Sequence, residues 1–328
     1  MTALATPTTA LAGDPRVVTL RSSVWELDVL PGTGACLGAG RIRTGDGVWR
    51  DLLRPTRTFA GLGEPERCAS FPMIPWSNRV AGGVLRFRGR TWQLQQNAAD
   101  GTAIHGAARY VPWQVTALSE RAISLELDTR AFVGMNFPWN FVAGITYALD
   151  GPDLEVTTSL RNVDDEPFPA GLGHHPYFER ALLPVGSQHP YEGTGPLLEI
   201  PAHRSYELTG AMPSGPSVPV APRADFRTPR RLGGALVDDV LTAFEPGRPV
   251  RMTYDDPGLV VEMHRDPAFS HLVVYAPRGR SYFAVEPATN VNDGFSLHDA
   301  GVPGTGVLVL APDEQTTATF TITTRTTP

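Results

Sequence analysis

Short segments in which apolar and polar residues alternate run along this 328-residue chain. In residues 123–128, one isoleucine and two leucines alternate with Ser, Glu and Asp, and residues 154–160 and 319–323 follow similar patterns. A period of two places successive side chains on opposite faces, so each segment predicts a strand with one buried face. The 33 glycines and 31 prolines fall between these segments, as turn residues between strands do.

Helical periodicity is scarce. No stretch keeps apolar residues at positions i, i+3, i+4 and i+7 over three turns without Gly or Pro inside it. Strands that bury one face must pack sheet against sheet. We therefore predict an all-β fold, a large antiparallel β-sandwich of two sheets. Residues 16–328 are predicted to form one domain, and the Pro-rich interval 213–229 is predicted to be an exposed connection. Residues 1–15 are predicted to be a frayed N-terminal tail, since no basic residue precedes Arg16 and no continuous apolar core follows.

Composition excludes several classes of function. The net charge of -6 is opposite to that of a nucleic-acid-binding surface, so no nucleic-acid partner is expected. All 28 basic residues are Arg, which excludes a Schiff-base lysine, a pyridoxal-phosphate enzyme and a P-loop lysine. No apolar run approaches transmembrane length, so no membrane partner is expected. Two cysteines, Cys36 and Cys68, favour a reducing, cytoplasmic location and leave a single disulfide open.

Two sequence features suggest a nucleotide site and a metal site, but neither is predicted to bind such a ligand. The glycines at 32, 34 and 38 have the spacing G-x-G-x-x-x-G with no helix pattern after them, so they predict a turn between strands rather than a nucleotide site. His174 and His175 are neighbours, and neighbours in a strand point to opposite faces. Only one of them is expected to reach a cavity, and no metal site is predicted.

Four distant segments place a charged group or an imidazole beside Pro, Gly or an aromatic residue. They are residues 70–79 (SFPMIPWSNR), 104–106 (IHG), 171–178 (GLGHHPYF) and 283–287 (FAVEP). The interior of a strand favours Val or Thr in such places, so these segments are candidates for a functional site.

Together the four segments resemble the aldose 1-epimerase (galactose mutarotase) family. Residues 75–79 with 83–89 resemble its N-R-I…G-x-F-x-x-G segment, and residues 104–106 resemble its H-G motif. Residues 175–178 match its H-x-Y-F motif, and residues 285–287 match its E-P motif. The resemblance implies a galactose mutarotase-like supersandwich and an isomerase that interconverts the α and β anomers of a free sugar, without a metal or other cofactor. Ala107 and Glu179 replace the Gly and Asn frequent in the family, which bears on the substrate more than on the reaction.

The residue types suit this chemistry. Opening a sugar ring requires a base for the proton of the anomeric hydroxyl and an acid for the ring oxygen. Glu286 lies in an apolar stretch that raises a carboxyl pKa, and it is the predicted base. His175 is the predicted acid. The resemblance assigns sugar binding to Asn78, Arg79, His105, Tyr177 and Asp238, with Asp239 as an alternative to Asp238.

Three alternatives remain open at this point. The substrate is either a neutral sugar or a phosphorylated or otherwise anionic one, for which a clamp of arginines is available at Arg54, Arg57, Arg86, Arg88 and Arg90. A non-catalytic carbohydrate-binding sandwich would need aromatic residues but neither a base nor an acid. A hydrolase or lyase on a similar sandwich is the third alternative, and glycoside hydrolysis needs two carboxyl groups. The expected partner is the sugar itself, bound by a monomer or a homodimer.

Overall fold

The structure is a computed structural model that describes residues 14–187 and 194–327. Apart from Asp14 and Pro15, the predicted tail lies outside these residues. One α-helix, α1, spans Gly294–Asp299. Short 3-10 helices cover Ala60–Gly63, Pro65–Arg67, Ala81–Gly83, Ala108–Tyr110, Thr129–Ala131 and Pro222–Ala224. All these helices are too short to traverse a bilayer.

The remaining regular structure consists of strands. In chain order they are β1 (Val18–Arg21), β2 (Trp25–Leu30), β3 (Cys36–Arg43), β4 (Trp49–Leu53), β5 (Pro72–Met73), β6 (Arg79–Val80), β7 (Val84–Phe87), β8 (Arg90–Gln93), β9 (Ala103–Ile104), β10 (Gln114–Leu118), β11 (Ala122–Asp128), β12 (Phe141–Asp150), β13 (Asp153–Asn162), β14 (Phe168–Ala170), β15 (Gly173–His174), β16 (Tyr177–Glu179), β17 (Leu197–Glu199), β18 (Ala202–Ser205), β19 (Leu208–Thr209), β20 (Met212–Pro213), β21 (Val218–Pro219), β22 (Arg230–Arg231), β23 (Val237–Phe244), β24 (Val250–Tyr254), β25 (Leu259–Arg265), β26 (His271–Ala276), β27 (Tyr282–Ala288), β28 (Leu308–Leu310) and β29 (Gln315–Thr326).

Two large antiparallel sheets contain most of these strands. The twelve-stranded sheet has the order β1-β2-β3-β4-β16-β27-β26-β23-β18-β21, and β15 pairs with β27 and β5 beside this path. The nine-stranded sheet has the order β10-β11-β12-β13-β29-β25-β24-β17-β22. The sheets stack, since Tyr147 of β12 donates a hydrogen bond to the Ala35 carbonyl at 2.8 Å, just before β3. The predicted all-β sandwich is confirmed.

Alternation of side chains builds the smaller sheet. Ile123, Leu125 and Leu127 of β11 are buried, whereas Ser124 and Glu126 between them are not. The inward residues join one hydrophobic core that reaches from Leu20 to Ile322. Burying each large aliphatic side chain contributes about 1.5–3 kcal/mol, so this pattern supplies much of the driving force for stacking.

The central strands of the larger sheet are buried on both faces. Every residue of β2 is buried, and so are all residues of β27 except Tyr282. The chain around residues 62–73 covers the face that points away from the smaller sheet, which we call the outer face. Of the three glycines predicted to form a turn, Gly32 and Gly34 lie in the turn that connects β2 to β3, whereas Gly38 lies within β3. Gly34 has φ +58° and no space for a side chain beside the Arg109 backbone. Cys36 and Cys68 are both buried and free.

The predicted exposed connection at residues 213–229 is only partly exposed. It contains β21 and a short 3-10 helix, and Ala224 and Phe226 within it are buried. Phe226 belongs to the main core, which is why the segment follows the sheet instead of extending into solvent. Its many prolines are compatible with this course, because an edge position needs few backbone donors.

Candidate active site

A row of directly opposed residues crosses the outer face of the larger sheet. Tyr177 lies opposite Ala284, Ala284 opposite Tyr275, and Tyr275 opposite Asp238. Directly opposed residues of antiparallel strands share a face, so these four side chains project to the same side. The single methyl group of Ala284 leaves a low floor between two tyrosines. Glu286, two residues further along β27, projects to the same face.

Glu286 and His175 meet beside this floor. Nε2 of His175 lies 3.1 Å from Oε1 of Glu286, although the residues are far apart in the chain. Both side chains are buried, and Oε2 of Glu286 and Nδ1 of His175 have no hydrogen-bond partner among the described residues. Leaving a buried polar atom without a partner lowers stability by about 1–3 kcal/mol. These two atoms are therefore suited to form hydrogen bonds with a ligand.

Burial opposes the charged form of each member of the pair. It raises the pKa of Glu286 well above its usual range; the negative charge of Asp238 adds to this rise, and the guanidinium of Arg79 opposes it. Burial likewise lowers the pKa of His175, and the nearby guanidinium groups of Arg54 and Arg109 lower it further. Both shifts favour the uncharged carboxyl and the uncharged imidazole, and the short distance between the two groups allows a proton to pass from one to the other.

His174 has the opposite orientation, as the period of a strand predicts. Its Nε2 lies 2.6 Å from Oγ1 of Thr158 on the smaller sheet, and its ring packs against Phe320. Burial alone lowers the pKa of His174 to about 3, which keeps the imidazole neutral. His174 is therefore part of the core between the sheets, and only His175 reaches the outer face.

Hydrogen bonds join the segment that carries Asn78 and Arg79 to residues 290–293, which follow β27. The backbone N–H of Asp293 donates to the Arg79 carbonyl at 2.6 Å, and Ser77 Oγ donates to the Asn290 carbonyl at 2.9 Å. Nε of Arg79 donates to Asp100 at 2.8 Å, and Nη1 donates to Asn78 Oδ1 at 3.3 Å. Asp100 and Asn78 thus orient the Arg79 guanidinium, which is close enough to affect the charge of Glu286.

The imidazole ring of His105 lies next to that of His175. The two imidazole rings are 5.3 Å apart and perpendicular, and Nδ1 of His105 is buried without a hydrogen-bond partner among the described residues. Burial, aided by the Arg109 charge, lowers the His105 pKa and keeps the ring neutral. The next residue, Gly106, has φ +71°, and a Cβ there would lie 2.1 Å from the Ile74 carbonyl oxygen. This contact explains the glycine of the H-G motif.

The two neighbouring aspartates on β23 have different surroundings. Asp239 is fully buried and accepts hydrogen bonds from the Arg223 guanidinium at 2.6 and 3.1 Å. Asp238 lies in the row with Tyr275, and burial raises its pKa while Arg79 lowers it. Of the two candidates, Asp238 is the one on the face that carries Glu286.

The structure adds residues that the motifs did not single out. The ring of Phe71 packs against that of His175 with ring centres 4.7 Å apart and an interplanar angle of 31°, and Tyr275 lines the floor. Arg109 is almost completely buried against Phe71, with its Nη2 3.1 Å from Glu66. Phe71 lies inside one of the motif segments, whereas Tyr275 and Arg109 have no local signal beyond their residue type.

The proposed clamp of five arginines does not form. Arg86, Arg88 and Arg90 lie on the β7–β8 hairpin, where Arg90 pairs with Glu166 and Arg88 covers its neighbour Phe87. Arg57 faces Glu179 at 3.8 Å. Of the five, only Arg54 contacts a predicted site residue, Tyr177.

A separate cavity of about 480 Å³ lies at the far end of β23, lined by residues 242–248, 264, 265, 267 and 270. None of the predicted site residues lines it. The cavity lies at the opposite end of β23 from Asp238, so the floor at Ala284 and this cavity are different places on the molecule.

Comparison with known proteins agrees with the fold and with the motifs. Residues 17–323 match the family model described as aldose 1-epimerase. The chain is 25% identical over 291 residues to the uncharacterized protein YphB of Escherichia coli strain K12, covering 84% of this chain and 91% of that protein. A galactose mutarotase-like protein from Clostridium acetobutylicum superposes with a TM-score of 0.79 at 18% identity, covering 94% of this chain and 95% of that one. The GalM/aldose epimerase homologue from C. elegans gives 0.77 at 18% identity, covering 95% and 99%.

Proposed function

This chain belongs to the aldose 1-epimerase family, and on that premise we propose that it interconverts the α and β anomers of an aldose. The observation that carries the proposal is the 3.1 Å approach of Glu286 to His175 beside the floor at Ala284. The anomeric hydroxyl oxygen and the ring oxygen are bonded to the same carbon. A base and an acid that serve both oxygens must therefore lie close together, as these two side chains do.

The proton transfers balance without a cofactor. Transfer of the carboxyl proton of Glu286 to His175, 3.1 Å away, gives the carboxylate and the imidazolium. The Glu286 carboxylate then takes the proton of the anomeric hydroxyl, the bond between C1 and the ring oxygen breaks, and the His175 imidazolium protonates the ring oxygen. The open-chain aldehyde turns about the C1–C2 bond. On reclosure, His175 takes back the hydroxyl proton while Glu286 returns its proton to the carbonyl oxygen. The same two groups serve both directions, and the protein ends in its starting state.

The surrounding residues support each step. A sugar hydroxyl that donates to Glu286 stabilises the carboxylate, and the Arg79 guanidinium acts in the same direction. In this proposal Asp238, Tyr177 and His105 bind the other hydroxyls, and Asn78 orients Arg79. Phe71, packed against the His175 ring, restricts its orientation. Binding energy at remote hydroxyls thereby positions C1 beside the acid and the base.

A freshly dissolved pure anomer tests the proposal. Polarimetry or NMR should show that the protein accelerates the approach to the equilibrium mixture of α and β forms across a panel of sugars. A methyl glycoside of the same sugar is the matched control, because it lacks the anomeric proton and should remain unchanged. Failure to accelerate anomerisation of any sugar in the panel would contradict the proposal, and release of methanol from the glycoside would indicate a hydrolase instead.

A further inference from the structure

The row of residues on the outer face continues onto β4. Leu53 at the end of β4 lies opposite Phe178, and the backbone N–H of Arg54 donates to the Tyr177 carbonyl at 2.8 Å. Arg54 is therefore the residue opposite Tyr177, on the same face. The row thus runs from a carboxylate at Asp238, across the floor at Ala284, to a guanidinium at Arg54.

The guanidinium of Arg54 lies in a corner formed by two tyrosines. Its central carbon is 3.8 Å from the ring centre of Tyr177 and 4.5 Å from that of Tyr282. Nη2 donates to the carbonyl oxygens of Glu66 and Cys68 at 2.8 and 2.7 Å, which fixes the direction of the group. Within residues 14–187 and 194–327, its Nε and Nη1 make no hydrogen bond and no carboxylate lies within 4 Å. Three N–H donors thus remain for a ligand.

The other arginines around the site have acidic partners. Arg79 pairs with Asp100, and Arg109 pairs with Glu66. Arg57 lies 3.8 Å from Glu179. Arg54 differs from them in having a half-buried positive charge that backbone carbonyls and aromatic faces stabilise only in part. A positive charge held in a fixed direction, with N–H donors that have no partner among the described residues, is suited to bind an anion.

The chemistry of the ring indicates which substituent would reach Arg54; this step rests on the proposed function. C1 and C5 are the two carbons bonded to the ring oxygen, and Glu286 acts at C1 while His175 acts at the ring oxygen. The order of strands across the sheet is β27 with Glu286, β16 with Tyr177, then β4, which Arg54 directly follows. His175 lies between them, with its ring 4.3 Å from that of Tyr177. A substituent on C5 therefore extends away from Glu286 and toward Arg54.

We propose that the substrate is an aldose with an anionic group on the carbon attached to C5, and that Arg54 binds this group. A hexose 6-phosphate and a hexuronate both have this chemistry. The neutral parent sugar has the same ring and the same anomeric hydroxyl, so it fits the acid and the base equally well and differs only at Arg54. Asp238, at the other end of the row, would disfavour the reversed orientation by repelling the anion.

The test compares each neutral sugar with its anionic counterparts. NMR exchange spectroscopy measures kcat/KM for α–β exchange of glucose and galactose, of their 6-phosphates and of the corresponding uronates. The wild type should favour the anionic sugars by about 10-fold or more. Arg54→Gln should lower the ratio of kcat/KM for anionic to neutral sugars by roughly 10–100-fold, the range expected on losing a hydrogen bond to a charged group. The Arg54 charge also acts on His175, and loss of that effect changes kcat/KM for both classes of sugar alike, so it cancels in the ratio. The phosphate and uronate arms show which anion is preferred.

Two further variants separate binding from folding. Arg54→Lys keeps the charge but not the planar group, and it should retain part of the preference for anions. Arg57→Gln removes an exposed arginine three residues away and should leave the preference unchanged. Equal kcat/KM for neutral and anionic sugars in the wild type, or an equal loss for both in Arg54→Gln, would overturn the proposal while leaving anomerisation intact.

A non-reacting probe makes the result independent of catalysis. The compound 1,5-anhydroglucitol 6-phosphate has no anomeric hydroxyl, so calorimetry with it reports binding alone. Binding should weaken roughly 10–100-fold in Arg54→Gln and persist in Glu286→Gln. If no sugar is anomerised, the proposed function fails, and the calorimetry still decides whether Arg54 binds the anion. Equal binding by wild type and Arg54→Gln would reject the anion site.

Discussion

His174 and His175 are adjacent in the chain, yet they belong to two different regions of the molecule. His174 points between the sheets, where Thr158 supplies a hydrogen-bond partner and the imidazole has one stable, neutral state. His175 points to the outer face, where it contacts Glu286 and keeps Nδ1 without a partner among the described residues. At His174 the protein itself supplies the hydrogen-bond partner, whereas at His175 one ring nitrogen has no partner among the described residues.

The two regions differ in how many of the polar atoms discussed above have a hydrogen-bond partner. Buried polar atoms in a core are normally paired, because each unpaired one costs stability. On the outer face, Oε2 of Glu286 and Nδ1 of both His175 and His105 lack partners within the described residues. Three such atoms around one floor lower stability locally, and a ligand with several hydroxyl groups would relieve that cost. Substitutions in the two regions should therefore have different effects.

Replacement of the base should nearly abolish activity. Glu286→Gln keeps the shape of the side chain but cannot accept a proton, so kcat/KM for anomerisation should fall by about 10²–10⁴-fold. Sugar binding, measured by calorimetry, should largely survive, because the base acts mainly in the transition state. Near-normal turnover by this variant of a sugar that the wild type converts well would assign the base to another residue.

The two histidines should respond in opposite ways. His175→Asn should lower kcat/KM by roughly 10²-fold or more, because the acid is lost. His174→Asn should change kcat/KM by less than about 5-fold but lower the free energy of unfolding by about 1–3 kcal/mol, since the bond to Thr158 is lost in the core. Each variant is the matched control of the other, with kinetics and denaturant unfolding measured on both. Equal kinetic sensitivity at the two positions would remove the distinction between the regions.

The smallest effect concerns stability against pH. Burial lowers the pKa of His174 from 6.5 to about 3, so the unfolded chain takes up a proton that the folded chain does not. The stability contributed by neutral His174 is fully present above about pH 6.5 and is lost as pH falls toward 3. In this range the free energy of unfolding falls by at most about 1.4 kcal/mol per pH unit on account of His174. Urea unfolding between pH 7 and pH 4 should show a shallower fall for His174→Asn than for the wild type. An unchanged slope would mean that His174 is not buried in a neutral state.

Much of the architecture could be predicted from local pattern. Alternating residues such as those of β11 determine which face is buried, and that period also places His174 and His175 on opposite sides. The sequence identifies Glu286 as a candidate base because a carboxylate in an apolar stretch is costly unless it is paired or used. The aldose 1-epimerase resemblance rested on motifs that span most of the chain, and the match over residues 17–323 confirms it.

The contacts within the candidate site depend on the pairing of strands that are distant in sequence, which only the tertiary structure shows. The 3.1 Å approach of His175 to Glu286, and the position of Asp238 rather than Asp239 beside them, depend on how β15, β16, β23, β26 and β27 pair. The register between β16 and β4 places Arg54 opposite Tyr177. Arg57, Arg88 and Arg90 have other contacts. A residue's own neighbours in the chain determine which face it occupies. Only long-range pairing determines which other side chains share that face, because shifting a strand by one residue would exchange every contact across it.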